Sequence, residues 1–159
     1  MRRRIGATAH SILIAQTNLA IAYEAVGRLD EGILMKRDVY FGRLRLTGEE
    51  DYQTLLSANN YADSLNHLNR FEEAKSLMRK TIPIARRVLG ESNDLTLKMR
   101  WACAMALYKS TGATLDDHRE AVTTLEDVER TLRRVLGGAH PTTKGVELAL
   151  GEARKRIKN

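Results

Sequence analysis

The sequence contains a single cysteine, two prolines and one tryptophan, and its aromatic residues amount to 5%. A lone cysteine excludes an internal disulfide framework. Cys103 sits in the apolar run WACAMAL and reads as a small packed hydrophobe, with a reducing, cytoplasmic compartment as the expectation. The shortage of proline leaves room for long helices. The shortage of aromatics excludes the stacking platforms on which single-stranded nucleic acids are held. No apolar run approaches the roughly 20 residues that span a bilayer. The start MRRRIGATAHSILIAQTNLA is basic and then apolar, but Gln16, Thr17 and Asn18 interrupt it, so a signal peptide is not expected.

Catalytic signatures are missing as well. No nucleophile elbow, HExxH, phosphate-binding or dinucleotide glycine motif occurs. His10, His67, His118 and His140 fall at unrelated places and never stand at ligand spacing from a Cys or carboxylate. The acidic pairs Glu49-Glu50, Glu72-Glu73 and Asp116-Asp117 fall at the beginnings of helical patterns, where they favour the positive end of a helix dipole. No enzyme activity, metal or cofactor is expected.

What the chain does have is a period. Displaced by 42 residues, it pairs Asn18 with Asn60, Ala20 with Ala62, Arg28 with Arg70, Glu31 with Glu73, Arg45 with Arg87, Gly48 with Gly90 and Thr54 with Thr96. The match continues to Ala104 and Leu107. It resumes after a five-residue insertion near KSTGATLDD, with Ala74 on Ala121, Arg87 on Arg134, Gly90 on Gly137 and Thr96 on Thr143. A fixed period of this size marks a solenoid, in which each unit buries its apolar face against its neighbours.

Each unit reads as two helices. Over residues 51–68, Leu55, Ala58, Tyr61, Ala62 and Leu65 recur at three- and four-residue steps and give one buried stripe. A turn at Asn69-Arg70, the counterpart of Gly27-Arg28, suits a left-handed cap. A second helix is expected over residues 71–89, with Ala74, Leu77, Met78, Thr81, Ile84, Ala85 and Val88 inward and a bend at Pro83. Small residues at Ala20, Ala62 and Ala104, and at Gly32, Ala74 and Ala121, allow close helix crossing. In the first copy Gly32 and Lys36 replace larger apolar side chains, and looser packing is expected there. Asp117 with Glu120 is the expected cap of the helix after the insertion.

This pattern resembles the tetratricopeptide repeat, and the length, the motif NYADSLNHLNRFEEAKSLMRKTIPIARRVLG and the linker LGGAHPTT resemble the kinesin light chain type. The fold so implied is all-α: a right-handed α-solenoid of antiparallel helix pairs, about seven helices in one domain. Its expected divisions are 1–6 as the tail of a preceding repeat, 7–48, 49–90 and 91–137 as three repeats, and 138–159 as a capping helix. The function implied is a protein-interaction scaffold holding a peptide or partner segment on the concave face of the first helices. In register, the groove candidates are Thr17, Asn18, Ile21 and Glu24, then Leu56, Asn59, Asn60, Asp63, Asn66 and His67, then Lys98, Trp101, Met105, Tyr108 and Lys109. Asparagine amides both donate to and accept from a peptide backbone, and Trp101 with Tyr108 would anchor an apolar side chain.

Two further expectations concern partners. The net charge of +6 favours acidic ones. Arginines at Arg3, Arg45, Arg87 and Arg134, with Arg2, Arg86 and Arg133 beside them, raise the alternative of a basic face for nucleic acid or another anionic partner, although placement against the negative helix ends explains them. Ile12, Leu13, Ile14, Leu19 and Ile21 lie almost all round the first helix, so it is expected to meet a further repeat or another copy of the chain.

Overall fold

The computed structural model describes the backbone of residues 2–158 and the side chains of residues 8–158. Among these residues there are seven helices and no strands: α1 (Arg2–Ala25), α2 (Leu29–Thr47), α3 (Tyr52–His67), α4 (Phe71–Leu89), α5 (Asp94–Lys109), α6 (Leu115–Leu136) and α7 (Pro141–Lys158). Each helix packs against the next, and α5 also packs against α3 and α7. The α1 backbone, by contrast, makes its close approach to α2 alone. The result is a right-handed α-solenoid.

The turns repeat as the sequence does. Gly27 and Asn69 both take a left-handed conformation, with φ of 80° and 58°. The N–H groups of Arg28 and Arg70 reach back to the carbonyls of Tyr23 and Leu65, each at 2.8 Å, which closes the helix with the six-to-one bond of a Schellman turn. Arg28 then pairs with Glu31 at 2.8 Å and Arg70 with Glu73 at 2.7 Å. The second helix of each repeat ends on Gly48, Gly90 or Gly137, where φ is 86°, 94° and 87° and a side chain would be strained.

The first-helix starts share a device that the sequence concealed. Asp51 accepts hydrogen bonds from the N–H of Gln53 (3.0 Å) and Thr54 (3.2 Å), and Asn93 accepts one from Leu95 (2.9 Å). At the equivalent place His140 Nδ1 accepts from Thr142 at 3.2 Å. Three residue types thus cap three helices in the same way. The cap of α6 differs from expectation: Thr114 is the N-cap, and its side chain and that of Asp117 bond reciprocally to each other's backbone N–H. Glu120 lies one turn further on and pairs with Arg79 at 2.9 Å.

One continuous core runs from Ile33 to Ala153. Ala20, Ala62 and Ala104 are fully buried, as are Ala74 and Ala121, so the small residues do sit at the crossings. Val88, expected inward, lies in the last turn of α4 and is 41% exposed. Helix α4 runs unbroken through Pro83. Residues 2–6, read from the sequence as the tail of a preceding unit, are the first turns of α1 itself. Helix α1 buries Leu13 and Ala20 but leaves Ile12, Ile14, Leu19 and Ile21 between 43% and 55% exposed.

Around Gly32 and Lys36 the first repeat is closely packed. Glu24 lies across Gly32, so close that a Cβ there would stand 2.8 Å from Glu24 Cγ. This lets Glu24 accept from Lys36 at 2.6 Å and from the Ser64 hydroxyl at 2.5 Å, while Lys36 also donates to Ser64 at 2.8 Å. A polar layer stands where the other repeats place Met78 and Leu125.

Candidate ligand groove

The first helices of the repeats are α1, α3 and α5. Between α1 and α3 the absence of close backbone contact opens a cleft of about 300 Å³, lined by Thr17, Asn18 and Ile21 from one helix and Leu56 and Asn60 from the other. Lys36, Val39 and Arg43 of α2 form its floor. The aligned asparagines Asn18 and Asn60 therefore face the same cleft.

A second cluster surrounds Asp63. Asn59 Nδ2 donates to Asp63 Oδ2 at 3.2 Å. Burial raises the Asp63 pKa from 3.8 to about 6, even though His67, Lys36, the Asn59 hydrogen bond and Lys98 all act to lower it. His67 and Lys98 are exposed, and Lys98 is held by Asp94 at 2.7 Å. Asn59 itself is buried, with its Oδ1 lacking a protein partner.

The structure takes other candidates out of the groove surface. Glu24, Asn66 and Tyr108 occupy one position of the repeat, and each bridges to the next first helix: Glu24 to Ser64, Asn66 Nδ2 to the Ala102 carbonyl at 2.9 Å, and Tyr108 Oη to Glu152 at 2.9 Å. Asn66 and Tyr108 are buried. Burial and the Glu152 carboxylate push the Tyr108 phenol well above its ordinary value. Trp101 lies against α7, where its ring would come within 2.7 Å of a Cβ on Gly145, and Met105 is half-buried on the core. The expected exposed pair of aromatic anchors is thus a pair of packing residues. Lys109 is half-buried and stands 3.9 Å from Glu152.

Three of the series make ion pairs, whereas Arg45 and Arg134 have none among the described residues. Arg86 meets Glu91 at 3.1 Å, Arg87 meets Glu50 at 2.7 Å, and Arg133 meets both Glu129 and Glu147. Arg2 and Arg3 lie outside the described side chains. Sequence reading passed over Arg100, which is buried with its guanidinium 2.7 Å from Asp127. It also passed over Arg43, which is 5% exposed with Nη1 lacking any protein partner. An arginine among apolar residues inside a helical pattern was the available signal for both. Among the described residues, no helix is long and apolar enough to cross a membrane.

The chain's likeness to known proteins follows the same lines. The tetratricopeptide repeat family model matches residues 54–94, which take in nearly all of α3 and the whole of α4. No curated protein matches. Two solved structures from Podosopora anserina, described as kinesin light chain nearly identical TPR-like repeats, one of them a point variant, superpose with TM-scores of 0.73 and 0.70 at 23% identity. Each comparison covers 92% of this chain, and 66% and 67% of the other. BtubC (BKLC) from P. vanneervenii superposes with a TM-score of 0.61 at 16% identity, over 94% of this chain and 62% of that one. The chain thus spans less than two thirds of the length of the first and third of these structures. The chain therefore has the fold of tetratricopeptide-like repeat solenoids of the kinesin light chain kind, and residues 54–94 match the repeat's family model.

Proposed function

We propose that this chain is a protein-interaction scaffold that holds an extended peptide or partner segment along α1, α3 and α5. The observation that carries this reading is the placement of Asn18 and Asn60 on opposite walls of one cleft. Amides so placed donate to and accept from an extended backbone on both sides, which side chains spent on packing cannot do. Apolar lips at Ile21 and Leu56 supply contact area for alternate side chains of the ligand. A cytoplasmic location accords with the single buried thiol of Cys103.

The test is selection of binders from a random peptide display library on the full chain, followed by calorimetric titration of the selected peptides. Asn60→Ala and Asp63→Ala are expected to weaken binding by about tenfold each, the scale of a lost buried hydrogen bond to a ligand. Selected peptides that ignore both substitutions, or a library that yields no binder, would sink the groove reading.

A second reading, association of chains through α1, has its own support. Ile12, Ile14, Leu19 and Ile21 are exposed along one terminal helix, more apolar surface than a solvent-facing helix ordinarily carries. Sedimentation equilibrium decides it: a monomer at all concentrations removes it, and dimers that persist in high salt support it.

A further inference from the structure

We infer that the outward side of α1 is closed by α1 of a second copy of this chain, running antiparallel to it about a two-fold axis. This rests on the reading of association through α1 and names the residues, the orientation and the size of the assembly.

The side in question occupies positions that the later repeats bury. In α3, Thr54, Ser57 and Ser64 are buried, and so are Thr96, Met99, Cys103 and Ala106 at the same positions along α5. What covers them is the preceding second helix. Thr54 meets Thr47 at 3.1 Å and Ser64 meets Lys36 at 2.8 Å, while Thr96 reaches the Ala85 carbonyl at 3.5 Å. Contacts of 47 with 54 and of 36 with 64 make that covering helix antiparallel. The counterparts in α1, displaced by 42 residues, are Ile12, Ala15, Leu19 and Ala22, and all four are exposed. Val26, one turn further on, is 71% exposed.

Residue size selects the occupant. Ile12, Ala15, Leu19, Ala22 and Val26 follow one another at steps of three and four, the spacing of a seam between two helices, and they alternate large and small. Between antiparallel copies each large side chain falls opposite a small one: Ile12 faces the partner's Ala22, and Leu19 faces the partner's Ala15. A parallel pair sets isoleucine on isoleucine and alanine on alanine, which leaves a void at every second layer. Charge agrees with size. Arg2, Arg3 and Arg4 open the helix, whereas Glu24, Asp30 and Glu31 outnumber Arg28 around its far end. Antiparallel copies bring these opposite ends together, and a parallel pair sets like on like.

Joining end to end through α7 covers a different side of α1. First helix meets first helix where Trp101 lies on Gly145, and the counterpart of Gly145 in α1 is Ile14. A face that pairs with itself closes at two copies.

The experiment is sedimentation equilibrium of the full chain, with disulfide trapping as its geometric arm. A reversible dimer in the micromolar range is expected, as for a small interface. Leu19→Glu is expected to abolish it. Ala15→Leu adds apolar surface but blocks the close approach, and is expected to weaken the dimer about tenfold. Mixing Ile12→Cys with Ala22→Cys chains in glutathione disulfide is expected to link dimers that neither variant forms alone, the native chain with its buried Cys103 serving as the control. Tighter dimers with Ala15→Leu, or links formed by one variant alone, overturn the antiparallel seam and leave association through α1 standing. Loss of dimers with Ile21→Glu but not with Leu19→Glu moves the contact to the groove side and overturns the proposal in the same way, as does open-ended growth. A monomer at all concentrations removes both. The substituted side chains are exposed in the chain itself, so the variants are expected to keep its helical circular dichroism.

Discussion

Lys36 Nζ stands 2.6 Å from Glu24 Oε2, and both groups share the hydroxyl of Ser64 in the next repeat. The side chains are only 14% and 26% exposed, so this is a substantially desolvated pair. Burial pushes the Glu24 carboxyl up, but the hydrogen bonds from Lys36 and Ser64 outweigh it and hold the pKa below 4.5. Lys36→Met, which copies the side chain at Met78, leaves Glu24 without its cation and is expected to cost about 2 kcal/mol in urea unfolding. Adding Glu24→Leu should recover most of that loss, since an apolar pair of similar size replaces a buried ion pair at little cost. A double variant no better than the single one would contradict this account.

Gly32 belongs to the same layer. Alanine gains about 1 kcal/mol in helix propensity, yet its Cβ would press on Glu24 Cγ at 2.8 Å and on the Ala20 carbonyl at 3.2 Å. Gly32→Ala is therefore expected to lower the melting temperature, and to lower it less in a Glu24→Ala background, where the Cγ is absent. A rise in melting temperature in the native background would show that Glu24 moves aside freely.

Asp63 makes stability depend on pH in an unusual direction. Its pKa rises on folding from 3.8 to about 6, so between these values the folded chain binds more protons than the unfolded one. Its contribution is fully present below about pH 4 and is lost as the pH rises through 6. Asp63→Asn is expected to leave stability unchanged at pH 4 and to raise it by about 1 to 3 kcal/mol at pH 7.5. Urea unfolding at the two pH values checks the sign, and a variant less stable at pH 7.5 would contradict it.

Tyr108→Phe tests the division between bridge and groove. Loss of the hydroxyl that donates to Glu152 is expected to cost about 1 kcal/mol of stability, with no change in affinity for a groove-bound peptide. Asn60→Ala should do the reverse.

Arg43→Met offers a stability readout independent of any ligand. Removing a buried guanidinium whose Nη1 has no protein partner, while keeping an apolar stem, is expected to stabilise the free chain by about 1 kcal/mol. Destabilisation would mean that the guanidinium contributes to the fold.

The fold was legible because its signals recur. Gly48, Gly90 and Gly137 end helices for the same steric reason, and the alanines at 20, 62 and 104 mark crossings for another. Where the same job is done by different chemistry, recurrence vanishes. Asp51, Asn93 and His140 cap equivalent helices, and Glu24, Asn66 and Tyr108 bridge equivalent helices, but no alignment of residue types reveals either set. The candidate site was blurred for a related reason. α3 is held by α4 on one side and α5 on another, so its periodicity marks faces that touch something without separating ligand from neighbour. Lys36 read as a flaw in packing because its partner Glu24 is twelve residues away on another helix.

The helices touch their neighbours and, at most, the next helix but one. Tyr108 and Glu152, 44 residues apart, are as distant in sequence as any hydrogen-bonded pair among the described residues. The chain therefore never has to close a long loop before a contact rewards it, and its folding search is short. Order can begin in any helix pair and spread by one unit at a time. Under tension the same geometry yields stepwise, with α1, whose backbone approaches α2 alone and which reaches α3 through side chains such as Glu24, expected to peel away first.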